Sequence, residues 1–333
     1  MWCKQSSAMF YFRDVNSETS KKHQRHHIIQ VAATHDDLPL KNENWAERWC
    51  TLKNEFKNVC EHIHNFEVRV DDVFVVTFMK CGTTWMQEIV WLLTHHLDFQ
   101  CALEVSLSQR SMFLELSSLT SKMTNNSIDT LNEQPSPRII KTHLPVNLLP
   151  KQLWRKKQKA IFVARNAKDV VVSSFYFQTG LNRWSGTFDE FMLDFMNNEI
   201  IFTPYWTQIV DFWMLRNEPH IFFVTYEEMQ RDLSGVTQRL CTFLERPQLT
   251  EQELRDLEQH VSFENMKQNK TTNITHTLNT QFDVKDDFQF MRSGLVGSYK
   301  ADLSPENERL LNEWSRVCLA KYGLTQEDIF GKI

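Results

Sequence analysis

Short apolar runs of strand length alternate along this chain with segments whose apolar residues recur at helical spacing. The runs at 73–78, 138–140, 160–164 and 221–225 are rich in Val, Ile and Phe, which is typical of strands buried on both faces. Apolar residues at helical spacing follow the runs at 73–78 and 160–164. The alternation predicts a single α/β domain of three layers, in which helices cover both faces of a central parallel sheet.

Other stretches depart from this alternation. Residues 1–44 are polar, with a basic, histidine-rich patch at 21–27, and are predicted to form a flexible N-terminal extension, although metal binding is an alternative for the patch. From Trp45 to Val59 the apolar spacing predicts one helix at the start of a domain that spans 45–333. Residues 100–137 have no clear period and are predicted to be a lid, a binding loop or a disordered segment.

A short polar loop, Lys80 to Thr84, separates the first strand from the helix that follows it. Gly82 lets the backbone approach a ligand closely, and Thr83 or Thr84 is predicted to cap the helix. The positive end of a helix and its N–H groups suit an anion, although an ordinary strand-to-helix turn is the alternative. The loop is not a Walker A motif, because lysine precedes glycine and no glycine stands at 76–79.

Composition narrows the classes of function. The 333 residues carry a net charge of −5, which argues against nucleic acid as a partner. Seven scattered cysteines without a C-x-x-C motif indicate a reduced compartment and no zinc site. The N-terminal sequence does not resemble a signal peptide, and no apolar run reaches the ~20 residues of a membrane span. We therefore predict a cytoplasmic protein with no membrane partner and no bound metal.

Polar and charged side chains follow four of the predicted strands. They are Lys80, then Lys141 and His143, then Arg165, then Tyr226. Since ligands of such sheets bind beyond the carboxyl ends of the strands, these residues are expected to meet at one edge. Cations around a histidine suit transfer of a phosphoryl or sulfuryl group, with the histidine as base for the attacking hydroxyl. Any one of these residues alone could be solvated or structural. Their recurrence after four strands favours a functional site.

Six segments resemble motifs of the cytosolic sulfotransferases, particularly the sulfotransferase 1 family. TFMKCGTTW at 77–85 is similar to the family's TYPKSGTTW, and 140–150 contains the family's KTHLP. The others are VARNAKDV at 163–170, YEEM at 226–229, SFENMK at 262–267 and FMRSGLVG at 290–297. They occur in the family's order within 66–322, and as a set they are specific.

The resemblance implies transfer of a sulfuryl group from 3′-phosphoadenosine 5′-phosphosulfate (PAPS) to a hydroxyl or amine of a small acceptor, with release of the bisphosphate PAP. It implies that His143 is the general base and that Lys80 and Lys141 stabilise the transferred group. Ser173 would restrain Lys80 until the acceptor binds. The loop would be P-loop-like and would hold the phosphosulfate. The implied donor-binding residues are Lys80, Cys81, Gly82, Thr83, Thr84, Trp85, Arg165, Ser173, Tyr226, Val261, Ser262, Phe263, Met266, Phe290, Met291, Arg292, Ser293 and Gly294.

Four residues depart from the family pattern. Met79 replaces a proline and Cys81 replaces a serine in the loop. Val261 lacks a hydroxyl and Ser293 lacks a positive charge that the family has near the nucleotide. We expect weaker donor affinity with activity retained. Cys81 could be a reactive thiol, but a small space-filling residue is the better interpretation.

The acceptor site is implied at Phe113, Leu116 and Phe177, beside Lys141 and His143. These apolar residues favour phenols, steroids, retinoids or other lipophilic alcohols as the small-molecule acceptor. The alternative function is a non-catalytic binder of hydrophobic small molecules on the same fold. A variant in which sulfation activates an alcohol toward dehydration also stays open.

Other assignments are less favoured. A kinase or NTPase conflicts with the residue order of the loop and with the lack of an acidic pair for Mg²⁺. A Golgi carbohydrate sulfotransferase would need a membrane anchor. The family's dimer motif is altered at 300–308, where proline follows serine and one residue is missing, which argues against the family's dimer contact and leaves a homodimer open.

Overall fold

The computed structural model describes residues 8–15, 17–120, 126–281 and 284–331. Its strands are β1 (Met9–Asp14), β2 (Ile28–Thr34), β3 (Cys50–Lys53), β4 (Val73–Thr77), β5 (Ser111–Phe113), β6 (Ile139–Thr142), β7 (Ala160–Ala164) and β8 (Ile221–Thr225).

The α-helices surround these strands. They are α1 (Glu18–His23), α2 (Cys60–His64), α3 (Thr83–Thr94), α4 (Phe99–Glu104), α5 (Leu107–Arg110), α6 (Ser127–Glu133), α7 (Lys151–Lys156), α8 (Ala167–Gly180), α9 (Phe188–Met196), α10 (Tyr205–Met214), α11 (Tyr226–Arg231), α12 (Leu233–Phe243), α13 (Glu251–His260), α14 (Phe263–Gln268), α15 (Thr275–Gln281), α16 (Pro305–Ala320) and α17 (Gln326–Phe330). Short 3-10 helices occur at Trp45–Glu47, Asn54–Asn58, Leu116–Ser118, Val146–Leu148 and Ser298–Ala301.

The central sheet is parallel, with strand order β5-β6-β4-β7-β8. Val76 of β4 lies beside Thr142 of β6 and Phe162 of β7, and Ala164 lies beside Thr225 of β8. The carboxyl ends of these strands therefore meet at one edge, as predicted. Strand β5 was missed because three residues are too few to show a period.

Successive side chains of a strand point to opposite faces of the sheet, and both faces here are covered by helices. Phe74 and Val76 belong to a core cluster that includes residues of α8 and α10. Val73 and Val75 belong to a second cluster, with residues of α3 and α12. Every residue of β4 and of β7 is buried. The predicted three-layer α/β fold is confirmed.

The N-terminal segment is not loose where the structure describes it, which corrects the prediction of a flexible extension over 1–44. β1, β2 and β3 form an antiparallel sheet, and Ile29 and Val31 of β2 are fully buried in the core. The N–H of Thr51 in β3 donates to the carbonyl of Thr203, which ties this sheet to the rest of the domain. Apolar burial outweighed the polar composition on which the prediction was based.

Two other local predictions, for 45–59 and for 100–137, differ from the structure. The helix predicted from Trp45 to Val59 is wrong, since strand β3 and two 3-10 helices occupy this range. The described residues of 100–137, which leave out 121–125, include most of α4 together with α5, β5 and α6 rather than one long loop. Thr187 and Thr250 form capping boxes, and Ser304 caps α16 with Pro305 at its first position. The altered dimer motif is thus a helix start.

A buried ion pair ties the start of β6 to the turn before β4. The guanidinium of Arg138 donates to Asp72 Oδ1 at 2.8 Å and to Oδ2 at 2.6 Å, and both side chains are fully buried. We expect Asp72→Ala to lower the free energy of unfolding by about 3–5 kcal/mol, because it leaves a buried charge unpaired. Urea unfolding would measure this, with exposed Asp129→Ala as the control. An equal effect of both substitutions would contradict it.

Neither a membrane-spanning helix nor a cluster of metal ligands is found in the residues that the structure describes. No helix there is long and apolar enough to cross a membrane. The same residues contain no group of three His, Cys, Asp or Glu that could hold a metal ion.

Candidate active site

The loop between β4 and α3 bends sharply at two residues. Lys80 and Gly82 have φ values of 67° and 91°, both in the left-handed region. Gly82 occupies the N-cap position of α3, and no side chain caps the helix. The predicted cap by Thr83 or Thr84 is therefore wrong; the Thr83 hydroxyl lies 2.6 Å from the hydroxyl of Thr77 instead. The uncapped helix end keeps N–H groups available to an anion.

A cleft of about 180 Å³ opens at this loop and at the carboxyl ends of the strands. It collects sixteen of the eighteen predicted donor residues: Lys80, Gly82, Thr83, Thr84, Trp85, Arg165, Ser173, Tyr226, Val261, Phe263, Met266, Phe290, Met291, Arg292, Ser293 and Gly294. Gln230 and Ser298 also line it and were not predicted. We call this cavity the donor cleft.

Cys81 and Ser262 are the two predicted donor residues that do not line the donor cleft. The Cys81 side chain is buried in the core, and burial raises the pKa of its thiol well above the usual range. This contradicts the reactive-thiol alternative and supports a space-filling role. Ser262 instead caps α14 by accepting a hydrogen bond from the N–H of Asn265.

Cations dominate the donor cleft. Burial, together with Arg165, Lys141 and Arg292, lowers the pKa of Lys80 to about 7. The Lys80 ammonium donates to the Phe290 carbonyl at 3.3 Å and lies 4.6 Å from the ring centre of Phe177. No hydrogen bond joins Lys80 to Ser173 among the described residues, so the restraint by Ser173 stays a prediction.

The aromatic wall of the cleft lies close to two glycines. A Cβ atom on Gly82 would lie 2.6 Å from the Tyr226 ring, and one on Gly294 would lie 2.2 Å from the Phe263 ring. The hydroxyl of Tyr226 donates to the Gly294 carbonyl at 2.7 Å, and Trp85 packs edge-on against the same tyrosine. Any larger residue at these glycines would displace a ring, so the sequence uses glycine to bring aromatic side chains against the backbone.

His143 is held in one orientation at the carboxyl end of β6. Its Nδ1 lies 2.9 Å from the Thr77 carbonyl, which can only accept, so Nδ1 carries the proton and Nε2 has a free lone pair. The ring packs edge-on against Phe113 and Phe202, at 5.0 and 5.1 Å between ring centres. Burial, and then Lys141, lowers the pKa of His143 well below 6.5. The imidazole is therefore neutral at pH 7.

Glu115 is a residue that the sequence interpretation missed. Its fully buried carboxylate accepts a hydrogen bond from the His143 backbone N–H at 2.7 Å. Burial raises the pKa of Glu115 to about 7, while the His143 N–H, the Thr142 hydroxyl and Lys141 oppose that shift. Burial lowers the pKa of Lys141 to about 8, although the negative charge of Glu115 acts to raise it. A glutamate inside the apolar run 112–116 was the signal that could have revealed it.

Replacing Glu115 should affect turnover more than donor binding. We expect Glu115→Leu to lower kcat at least about tenfold, because it leaves the buried His143 N–H unpaired and lets that backbone shift. Glu115→Gln keeps an acceptor oxygen and should lose less. The kcat and the dissociation constant of PAP would be measured, with exposed Glu104→Gln as the control. Unchanged kcat in a folded Glu115→Leu variant would contradict the positioning role.

A second, mainly apolar cavity of about 340 Å³ adjoins the donor cleft, and we call it the acceptor cavity. All five predicted acceptor residues line it: Phe113, Leu116, Lys141, His143 and Phe177. Phe202, which the sequence interpretation missed, lines it as well. The two cavities share Met79, Thr84, Lys141, His143, Phe177 and Phe290. A group bound in one can therefore meet a group bound in the other beside Lys141 and His143.

Comparisons with known proteins agree with this geometry. A family profile described as "Sulfotransferase domain" matches residues 70–325. Luciferin sulfotransferase of Photinus pyralis is 35% identical over 287 residues, 81% of this chain and 77% of that protein. Sulfotransferase 1 family member D1 of Mus musculus is 37% identical over 250 residues, 74% of this chain and 83% of that protein. The chain belongs to the sulfotransferase family.

A solved structure agrees in fold. Retinol dehydratase in complex with retinol and PAP matches with a TM-score of 0.84 and 24% identity, over 95% of this chain and 98% of that one. The predicted family and enzyme class are confirmed: this sulfotransferase is PAPS-dependent.

The donor cleft suits PAPS on its own chemistry. Beside its cations, three buried N–H groups of cleft residues lack a hydrogen-bond partner in the described part of the chain, namely Trp85 Nε1, Arg165 Nε and Arg292 Nε. Buried donors without partners are costly, and phosphate oxygens are acceptors that would satisfy them. The cleft thus has both the charge and the donors for an anionic nucleotide.

Proposed function

We propose that this sulfotransferase transfers the sulfuryl group of PAPS to the hydroxyl of a small lipophilic acceptor, with His143 as the general base. One observation supports this most. The cationic donor cleft and the apolar acceptor cavity have a common wall that contains Lys141 and His143. In-line displacement needs donor and acceptor on either side of such a point, with a base beside the attacking oxygen.

His143 would act through Nε2. Its Nδ1–H is engaged with Thr77, and the lowered pKa keeps the ring neutral, so Nε2 can accept the proton of the attacking hydroxyl. The edge-on rings of Phe113 and Phe202 limit rotation of the imidazole. Holding the base in place reduces the entropy lost on reaching the transition state.

The cations would hold the donor and oppose developing negative charge. PAPS supplies an activated sulfuryl group, the transfer of which releases PAP. Lys80 and the uncapped end of α3 suit the 5′-phosphosulfate, and Lys141 faces both cavities. Arg165 and Arg292 suit the 3′-phosphate, because each brings a fork of N–H donors to the cleft.

The acceptor class follows from the cavity. Its lining includes Met112, Phe113, Leu116, Phe202 and Leu278, and its size fits a drug-sized molecule. The relative from Photinus is named for luciferin, and structures of the similar retinol dehydratase contain retinol or androsterone. We propose phenols, steroids and retinoids as the acceptors to test first.

The direct test is transfer of labelled sulfate from PAPS to a panel of phenol, steroid, retinoid and amine acceptors. At least one hydroxyl acceptor should yield a sulfate ester, identified by mass spectrometry. An alkene product would instead indicate dehydration after sulfation. PAP binding without transfer to any acceptor would favour the non-catalytic binder and contradict the proposal. The cytoplasmic location, the oligomeric state and the lack of nucleic-acid and membrane partners stay predictions.

A further inference from the structure

A third, smaller cavity adjoins the acceptor cavity. Gln178, Arg183 and Ile201 line both, so their side chains form the boundary between the two. The smaller cavity measures about 20 Å³, which is room for one or two polar atoms. His143 lines the acceptor cavity but not the smaller one, which therefore extends the site away from the reacting hydroxyl.

Basic side chains from three parts of the chain converge on this smaller cavity. Lys53 comes from the end of β3, Arg183 follows α8, and His26 lies before β2. His26 is exposed and marks the side open to solvent, whereas Lys53 is buried. Within the described residues, no Asp or Glu lines the cavity.

Lys53 has hydrogen-bonding capacity to spare. Its ammonium donates to the Leu119 carbonyl at 2.9 Å, and Leu119 itself lines the acceptor cavity. An ammonium has three N–H donors, and the described residues supply an acceptor for one of them. Burial and Arg183 lower the pKa of Lys53 to about 8, and Glu55 opposes that shift. Burial lowers the pKa of Arg183 to about 10.

Lys53 is buried and Arg183 is half-buried, and the positive charge of Arg183 adds to the cost of a charged Lys53 that has been removed from water. A bound anion would favour the charged form of Lys53, because it supplies an opposite charge and acceptors for the N–H donors of the ammonium. The adjoining acceptor cavity is mainly apolar. This arrangement fits an amphipathic molecule with an apolar body and one anionic end near the solvent side.

We propose that the smaller cavity is a subsite for the carboxylate of an amphipathic acceptor, bound by Lys53 and Arg183 while the acceptor's hydroxyl reaches His143. This inference rests on the proposed transfer reaction and adds a second recognised group on its substrate. It also gives the N-terminal sheet a role in acceptor choice, since β3 supplies Lys53.

The test compares phenols that carry a carboxylate on an alkyl chain of graded length with their methyl esters. Binding to the full chain in the presence of PAP would be measured by calorimetry, and transfer from labelled PAPS in parallel. For the best chain length, the acid should bind at least about tenfold more tightly than its ester. Lys53→Met and Arg183→Met should bring this ratio close to one, whereas exposed Lys321→Met should not change it.

Lys53→Arg distinguishes loss of the positive charge from misfolding of the variant. It keeps a cation at this position and should keep the preference for acids over esters. A wild-type ratio of one or below, or a ratio unchanged in Lys53→Met and Arg183→Met, would overturn the subsite. Sulfation of esters alone would leave the proposed function intact and reject the subsite. If no compound is sulfated, the proposed function fails, and the binding ratios still decide whether the anion subsite exists.

Discussion

Replacement of His143 by alanine should lower kcat by about 10²- to 10⁴-fold, the range that a positioned general base contributes. Donor binding should change little, because the phosphates are proposed to contact Lys80, Arg165 and Arg292 rather than the imidazole. Single-turnover sulfation and PAP calorimetry on the same preparation would separate the two effects. His220→Ala, a half-buried histidine outside both cavities, is the matched control. Full turnover by the His143→Ala variant would contradict the assignment of His143 as the general base.

The pH profile gives an independent test of the same residue. Burial holds the pKa of His143 well below 6.5, so the ring loses its proton at a lower pH than an ordinary histidine. Any fall of the rate with decreasing pH that belongs to His143 should therefore have its midpoint below 6.5, and a limb due to Lys80 or Glu115, each with a pKa of about 7, should persist in His143→Ala. A limb at 6.5 or above that disappears in His143→Ala would contradict this environment.

Replacement of Lys80 by methionine should lower kcat by about 10²- to 10³-fold, as removal of a preorganised charge at the reacting group does in other enzymes. The same substitution should also change the number of protons that the protein takes up when PAP binds. Lys80 has a pKa of about 7 in the ligand-free protein, so at pH 8 it is mostly neutral. A bound bisphosphate favours the charged form and raises that pKa, so PAP binding at pH 8 should take up protons.

Calorimetry of PAP binding in buffers of different ionisation enthalpy measures this uptake. Lys80→Met should take up fewer protons than the wild type, while Lys141, with its pKa of about 8, keeps part of the effect. Exposed Lys321→Met is the control for loss of a lysine. Equal proton uptake by the Lys80 variant and the wild type would show that Lys80 does not meet the phosphates. Loss of PAP binding altogether would assign the lysine to affinity rather than to catalysis.

The central sheet and the residues at its edge could be predicted because their signals are local. A strand buried on both faces needs a continuous apolar run, and β4 and β7 have one. Residues placed directly after parallel strands must meet at one edge, so the shared position of Lys80, His143 and Arg165 follows from the sequence. The resemblance to sulfotransferase motifs added Phe263 and Arg292, which no periodicity indicated.

The N-terminal sheet could not be predicted because its evidence is non-local. The mainly apolar runs of β1 and β2 are short and lie within a polar stretch, and only pairing with β3 and contact with the core bury Ile29 and Val31. Glu115 was missed for the same reason, since its partner is a backbone N–H twenty-eight residues away. The lack of a threonine cap on α3 also depends on tertiary contacts, because the Thr83 hydroxyl is directed to Thr77.

The sequence by itself determined the parallel sheet, the anion-binding loop and the family, because strand periodicity and motif order are carried by adjacent residues. Only the tertiary structure decided which side chains share a cavity. It separated Cys81 from the donor cleft, set the His143 tautomer through Thr77, and brought Lys53 and Arg183 together beside the acceptor cavity. Burial and charge proximity depend on residues far apart in the chain, and these two factors set the pKa values on which the chemistry depends.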